Sequence, residues 1–556
     1  MSASNKKRLR KEQNAAALTE KQQKELTEAK KLKKQTITFV VVIALIVAIG
    51  LGSLAVTAYN NSGIAERLST ALTVGDHNLS AADLGYFYYD AINAAYQDWY
   101  SMYGEYTATY MAMFYGLDLT APLGEQMYDE ENGKTFADHF IDLAVEDAVG
   151  TYTIYDLAVN SGMGLDEADK KSIDNTIDNL SIAAKANGYN NASDYLQSIY
   201  GKGATKKSFR KYLEALIVAS SLESETSNSL TYTDDDLAAY SEEHFDEFSS
   251  FSYSTFDFNP SDFLVCTADE DDKEHTHSQE EQDAALAAAK EAAESVIEAK
   301  PANAEDFNKA IKLLPPFTDS ETASCTETAD LLYSNISDEE IAKWLADSSR
   351  KPGDLKLITH TNDTADEDGN TFSTPYAYTV ILFQNRNDNE TKLVNVRHIL
   401  RTFTNGTTDE NGNTVYSDES KAQDMNTLKE WEQTWLNAGG TEEAFAELAT
   451  KNSDDSGSTA TGGLYEDIYP GQMVPAFNDW CFDESRQSGD YGIVETEYGY
   501  HLIYLVGHSD VTFRNFMIEN VMRNNDLDQW YQEQMDAAVY TVKDTSKMMK
   551  DIIISR

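Results

Sequence analysis

The sequence predicts an α+β chain: a helical region, then two tandem copies of one small strand–helix–strand domain, then a closing helix. Three observations carry that reading. Between about Leu79 and His244, apolar residues return every three and four positions, the spacing of a helix face. From Phe251 to Phe383, and again over 394–507, the pattern becomes strand, helix, strand. The two parts of that second region also match each other. IAKWLADSSRKPGD, Ile341 to Asp354, lies without a gap on FNDWCFDESRQSGD, Phe477 to Asp490. Trp344 falls on Trp480, Arg350 on Arg486, and Gly353-Asp354 on Gly489-Asp490. Tyr376-Ala377-Tyr378-Thr379 then falls on Tyr498-Gly499-Tyr500-His501. Self-similarity of this kind marks repeated structural units.

In chain order, residues 1–35 hold eleven Lys or Arg against four Glu, and Thr36 to Tyr59 then carries no charge. Such a run can cross a hydrocarbon core about 30 Å thick, with its basic flank held in the cytoplasm. The expectation is a transmembrane helix over 36–59, a single-pass anchor with everything after Tyr59 extracytoplasmic. The rival is a cleaved signal peptide ending near Val56-Thr57-Ala58. The long basic region and the long apolar run favour the anchor. In the helical region, AADLGYFYYDAINAAYQDWYSMY and FADHFIDLAVEDAVGTYTIYDLAV read as core helices, their Tyr and Met stripes as packing. Thr231 to Phe248 has an N-cap Thr and an acidic first turn, and reads as the helix that closes this domain. The first repeat then runs from the strand FSYSTFDF through a long Ala-rich helix to the strand YAYTVILF. The second runs from VNVRHILRTF through a helix at about Lys421 to Trp435 to YGYHLIYL. Residues 511–540 read as the closing helix.

Composition bounds the function. The 556 residues allow three or four domains, and 41% hydrophobic residues are enough to build cores. A formal net charge of −50 argues against a nucleic-acid partner, since neutralising phosphates takes Lys and Arg. It suits a chain kept soluble by self-repulsion, or one whose clients are cationic. Three cysteines, Cys266, Cys325 and Cys481, with no CxxC spacing imply neither a zinc site nor a disulfide framework. A single Cys266–Cys325 bridge stays open. Glu274-His275-Thr276-His277 lies in an acidic run and reads as a solvated loop rather than a metal site. DEDGN and DENGN, at 366–370 and 409–413, lack the leading Asp of a calcium loop and read as hairpin turns. No nucleophile elbow, P-loop or dinucleotide fingerprint is present, and no cofactor is expected.

The chemistry concentrates in the second repeat. Leu502 to Val506 is apolar on both alternating faces, a central strand, yet His501 stands at its head on the face of Ile503 and Leu505. A buried imidazole needs a partner. In VNVRHIL, His398 shares a face with Val394, Val396 and Leu400, so His398 is the expected partner of His501. The first repeat has Thr379 where the second has His501, Ile341 where it has Phe477, and no histidine in FSYSTFDF. The same scaffold therefore stands without the pair, which weighs against a purely structural role.

Over about 392–508 the chain resembles the parvulin (PpiC-type) family of peptidyl-prolyl isomerases. The resemblance rests on RHIL (Arg397–Leu400), FAELATKNSDDSGS (Phe445–Ser458), TGGL (Thr461–Leu464), GQMVPAF (Gly471–Phe477) and TEYGYHLIYL (Thr496–Leu505), in order and spacing. It implies a hydrogen-bonded network of His398 and His501 beneath the active site, with Thr496 beside them. It places Asp455 facing the amide that isomerises, Tyr498 where the family has a small hydroxyl residue, and an apolar proline socket of Leu464, Met473 and Phe477. Gly463 and Tyr465 depart from the family's Gly-Asp-Leu-Gly motif. The acidic loop TNGTTDENGNTVYSDE has no Arg/Lys cluster for a phosphoserine. The whole layout looks like extracytoplasmic foldases of the PrsA and SurA kind. The resulting plan is a basic cytoplasmic segment 1–35, the anchor 36–59, a helical chaperone-like domain 60–248, a degenerate parvulin-like domain 249–390, a parvulin domain 392–508, and a C-terminal helical segment 509–556 packing back on the helical domain. The expected partners are unfolded or partly folded secreted polypeptides with X–Pro bonds. The alternative function is a holdase whose parvulin-like domains only bind chains; a third reading is a scaffold for a membrane complex.

Overall fold

The structure, a computed structural model, describes residues 63–265, 277–365, 371–409 and 412–554. The 36–59 run, Cys266 and Glu274 to Thr276 lie outside the described residues. Among those described, no helix is long and apolar enough to cross a membrane. The chain divides into two compact units: residues up to 231 together with 522 onward, and 232–521.

The first unit is built on four long helices, Ala81–Tyr103, Phe136–Asn160, Glu167–Ala186 and Lys206–Ser229. Each begins at a capping box: Ser80 with Asp83, Thr135 with Asp138, Asp166 with Asp169, and Thr205 with Ser208. These reciprocal bonds satisfy amides that the first helical turn leaves without partners. Tyr86, Phe87, Phe140, Leu180, Phe209 and Leu213 meet in one core, which Met548, Ile552 and Ile554 complete. Periodicity gave no hint of a three-stranded sheet here. Thr70–Val74 pairs with His77–Ser80 on one side and with Tyr540–Val542, from the far end of the chain, on the other.

The second unit holds the two repeats. Each is a four-stranded antiparallel sheet of the same order, with the first and last strands central. In the first repeat Ser250–Phe258 and Thr371–Asn387 are flanked by Thr326–Leu332 and Leu355–Ala365. In the second, Lys392–Thr402 and Gly499–Thr512 are flanked by Leu464–Ile468 and Tyr491–Thr496. Long helices cover one face of each sheet and a short helix, Glu339–Ala346 or Pro475–Cys481, covers the other. The repeated motif folds alike in both. Arg350 stacks over Trp344 at 4.9 Å and Arg486 over Trp480 at 4.3 Å. Gly353 and Gly489 turn with φ of 93° and 96°, and each donates its amide to the last central strand, at Phe383 and Leu505. Only glycine takes that φ without strain.

One helix changes place. Asp234–Glu243, capped by Thr233, belongs to the second unit and not to the helical domain that the sequence pattern closes with it. The closing helix is Phe513–Ala537, and the division between the units falls within it. Its first turn is held by Arg514, buried, whose guanidinium donates to Asp388 O at 3.1 Å and to Ser241 Oγ at 3.0 Å and lies 4.0 Å over the Phe245 ring.

Candidate active site

Register brings the two histidines together. On the central strands His398 stands opposite Ile503, and His501 opposite Leu400, so the imidazoles lie diagonally on one face. Their Nδ1 atoms are 3.2 Å apart and both rings are buried. His398 Nε2 meets Asp455 Oδ2 at 2.9 Å, and His501 Nε2 meets Thr496 Oγ1 at 2.9 Å. The resulting line is Asp455–His398–His501–Thr496, drawn from a loop, two central strands and an edge strand.

One proton arrangement satisfies every atom of that line. An anionic Asp455 accepts from His398 Nε2–H, so His398 Nδ1 accepts from His501 Nδ1–H. His501 Nε2 then accepts from the Thr496 hydroxyl, which itself accepts the Tyr498 amide at 3.2 Å. The Thr496 hydroxyl also lies 3.4 Å from Gly499 O. The line is thus a continuous hydrogen-bonded chain of four side chains.

Its acidic end is tightly held. Asp455 also accepts from Tyr465 OH at 3.1 Å, from the Gly457 amide at 3.1 Å, and from Ser458 Oγ. The His398 hydrogen bond, reinforced by the Ser458 hydroxyl, holds its carboxyl well below the usual carboxylate range even though burial opposes this. Burial, with the charge of His398, presses His501 down to about 4, against the pull of Asp455. Tyr465 is pushed up to about 12 by burial and by Asp455, so its phenol stays a donor. Phe477 packs edge-on against both imidazoles, with ring centroids 5.6 Å from His398 and 5.3 Å from His501.

Of the residues singled out in the sequence, the structure gathers His398, His501, Asp455, Thr496, Met473 and Phe477 on this one face. Tyr498 reaches it through its backbone amide, its side chain being exposed. Leu464 lies outside the cluster. It pairs with Arg397 across the sheet, and the next residue, Tyr465, is the one that packs with Phe477 and Met473. A left-handed turn at Gly463, φ 74°, sets that phase. Ser458 escaped the sequence reading, while Tyr465 stood out there as a departure from the family motif beside the socket. Ser458 lies inside a motif already recognised, and Tyr465 replaces a family glycine, which was the signal available. Cys481 is buried, its thiol pushed up to about 12 by burial. Among the described residues no cluster of His, Cys, Asp and Glu is arranged to hold a metal.

The first repeat carries a different polar set at the same rungs. Thr379, at the His501 position, donates to Asp257 at 2.5 Å and meets His360 Nε2 at 2.8 Å. His360 stands opposite Ala377 as Thr496 stands opposite Gly499, so His and Thr have exchanged places. At the His398 position is Thr255, opposite Ile381.

Residues 378–508 match the family described as the PPIC-type PPIASE domain. Among curated proteins, the chain is 31% identical over 155 residues to Chaperone SurA of Methylococcus capsulatus, covering 27% of this chain and 29% of that protein. It is 26% identical over 179 residues to Foldase protein PrsA 1 of Listeria innocua, covering 29% of this chain and 52% of that one. A solved peptidylprolyl isomerase (PrsA) from Bacillus cereus aligns at 24% identity with a TM-score of 0.16, covering 27% of this chain and 50% of that one. The chain thus spans between about three tenths and half of the length of these relatives. The second repeat, whose first strand begins at Lys392, thus falls within a match to the parvulin-type peptidyl-prolyl isomerase family, in a chain that resembles the PrsA and SurA foldases.

Proposed function

We propose that this protein is a membrane-anchored, extracytoplasmic peptidyl-prolyl cis/trans isomerase and foldase, with the second repeat catalytic and the first a binding or spacing copy. The observation that carries the proposal is the Asp455–His398–His501–Thr496 line beneath Phe477, present in one repeat and replaced in the other. A surface that only bound chains would need a groove but no such hydrogen-bonded line, which sets the holdase reading second. The basic segment 1–35 and the uncharged 36–59 run support the anchor.

The chemistry asked of the site is modest. Rotation about an X–Pro bond faces about 18–20 kcal/mol from amide resonance, and no bond to carbon need break. Met473, just before the Pro475–Cys481 helix, and Phe477 within it pack in one cluster and would hold the proline ring, with Tyr465 closing one side. Planar resonance places negative charge on the carbonyl oxygen. A fixed carboxylate near that oxygen disfavours the planar form more than the twisted one, which is differential binding of the transition state. Asp455, held as an anion by four donors, suits that role, with His398 donating to it from below. Tyr498, exposed beside Thr496, would meet the substrate residue before proline.

The test is cis/trans exchange of short X–Pro peptides, followed by NMR with the full chain. Exchange well above the uncatalysed rate is expected, lowered about tenfold or more by Phe477→Ala and by Asp455→Ala. A folded protein that produces no acceleration would leave the holdase reading in its place.

A further inference from the structure

A second surface lies in the helical unit. The Ala81–Tyr103 helix is buried through Tyr96 and then leaves the core. Gly104 turns the chain, and the following helix, Thr107–Tyr115 (TATYMAMFY), is apolar on almost every side yet buries only Thr107 and Met111. What results is an exposed hairpin end. Met102 is 67% exposed, Tyr106 64%, Met113 68% and Phe114 63%. The rings form a surface ladder: Phe114 stacks on Tyr110 at 5.7 Å and Tyr110 lies 4.9 Å from Tyr103. A contiguous exposed patch of this kind marks an interaction site.

Charge says what covers it. From residue 68 to 133 there is no Lys or Arg and there are ten Asp or Glu, with Asp98 and Glu105 beside the patch itself. The next basic residue, Lys134, is neutralised by Asp142 at 2.6 Å, and Lys550, which reaches the same region, by Asp138. A second copy of the chain would bring the same negative charges against these, and an anionic bilayer would be repelled equally. Polarisable Met and electron-rich Tyr faces inside a negative field favour a partner that offers both apolar side chains and cations.

We propose that this Tyr/Met hairpin is a docking surface for non-native polypeptide segments in which apolar residues are interleaved with Lys or Arg. The proposal rests on the foldase reading and names the client chemistry that reading leaves open. A segment captured at the hairpin would stay tethered to the chain that carries the isomerase domain.

The test uses the full chain and three unstructured, fluorescent peptides of equal length and apolar content, bearing several lysines, none, or several glutamates. Fluorescence anisotropy is expected to rank them lysine-bearing, neutral, glutamate-bearing, with the first losing affinity as salt rises. Tyr106→Ser/Met113→Ser/Phe114→Ser should weaken the lysine-bearing peptide about tenfold, and Asp98→Lys/Glu105→Lys should erase the charge ranking. Thermal melting and X–Pro exchange on a short peptide should stay as in the parent, because the altered side chains are exposed. Parent-like binding in the triple variant, or binding indifferent to peptide charge, overturns the proposal. So does a patch-dependent dimer by light scattering, or patch-dependent capture by zwitterionic vesicles, without peptide binding. Charge-ranked, patch-dependent binding by a chain with no exchange activity would uphold the surface while removing the isomerase.

Discussion

His501 is the residue whose environment has the clearest consequence in solution. Its folded value of about 4 lies below that of an exposed histidine, so the unfolded chain takes up a proton first as pH falls. The stability it contributes is whole above about pH 6.5 and is lost between there and about pH 4. Asp455, held low, adds stability that is present above the ordinary carboxylate value and is lost only in stronger acid. Both act in one direction. Thermal melts should show the isomerase domain weakening from about pH 6.5 downward, and His501→Asn should flatten that slope, whatever its effect at neutral pH. A slope unchanged in the variant would place the titration elsewhere. At this scale the sequence was informative: strand alternation turned His398 and His501 inward, and the expectation that the two end strands are neighbours paired them, as the register shows. It gave Asp455 its place only through family resemblance, since a loop residue 57 positions from His398 carries no periodic signal.

At the scale of elements, turns decide which side chains reach the site. Gly463 departs from the aspartate of the related motif, and its geometry explains why glycine is needed here. Its φ is 74°, and a Cβ on it would stand 2.2 Å from the carbonyl oxygen of His398. That approach lets the Gly463 carbonyl accept the His398 amide at 2.8 Å and phases the next strand so that Tyr465 faces Asp455. Gly463→Asp, which restores the motif, should therefore destabilise the domain by about 2 kcal/mol or more and slow X–Pro exchange. A melt equal to the parent's would show that the turn relaxes. The family resemblance made Leu464 a wall of the proline socket. The left-handed turn at Gly463 instead brings its neighbour Tyr465 against Phe477 and Met473, because a one-residue change of phase exchanges the faces of a strand. In the first repeat the same rungs are filled by Thr379 and His360, an exchange visible only once strand register is known.

At the scale of the molecule, Arg514 ties together segments far apart in sequence. It reaches Ser241, Phe245 and Asp388 from the start of the closing helix, within the unit that holds both repeats. A buried guanidinium that donates to several carbonyls is costly to lose, since those acceptors are left without donors. Arg514→Met should lower the stability of that unit by about 3 kcal/mol, read as an earlier melting transition with the helical unit's transition unmoved. Coincident transitions that both shift would instead mean the units melt together. The net charge of −50 belongs to this scale too. It opposes self-association and leaves an apolar hairpin surrounded by negative charge, a combination composition alone cannot locate.

The sequence by itself determined the α+β class, the repeat and the inward-facing histidine in each of two strands. These follow from local periodicity, spacing and composition, which one strand or helix expresses without knowledge of the rest. The tertiary structure decided the Asp455–His398–His501–Thr496 order, the entry of Tyr465 beside Asp455, the strand that residues 540–542 add to Thr70–Val74, and the unit to which Asp234–Glu243 belongs. Each is a contact between segments distant in sequence, fixed by register and by left-handed turns. Hydrogen bonding and packing choose among such pairings only when the whole fold has closed.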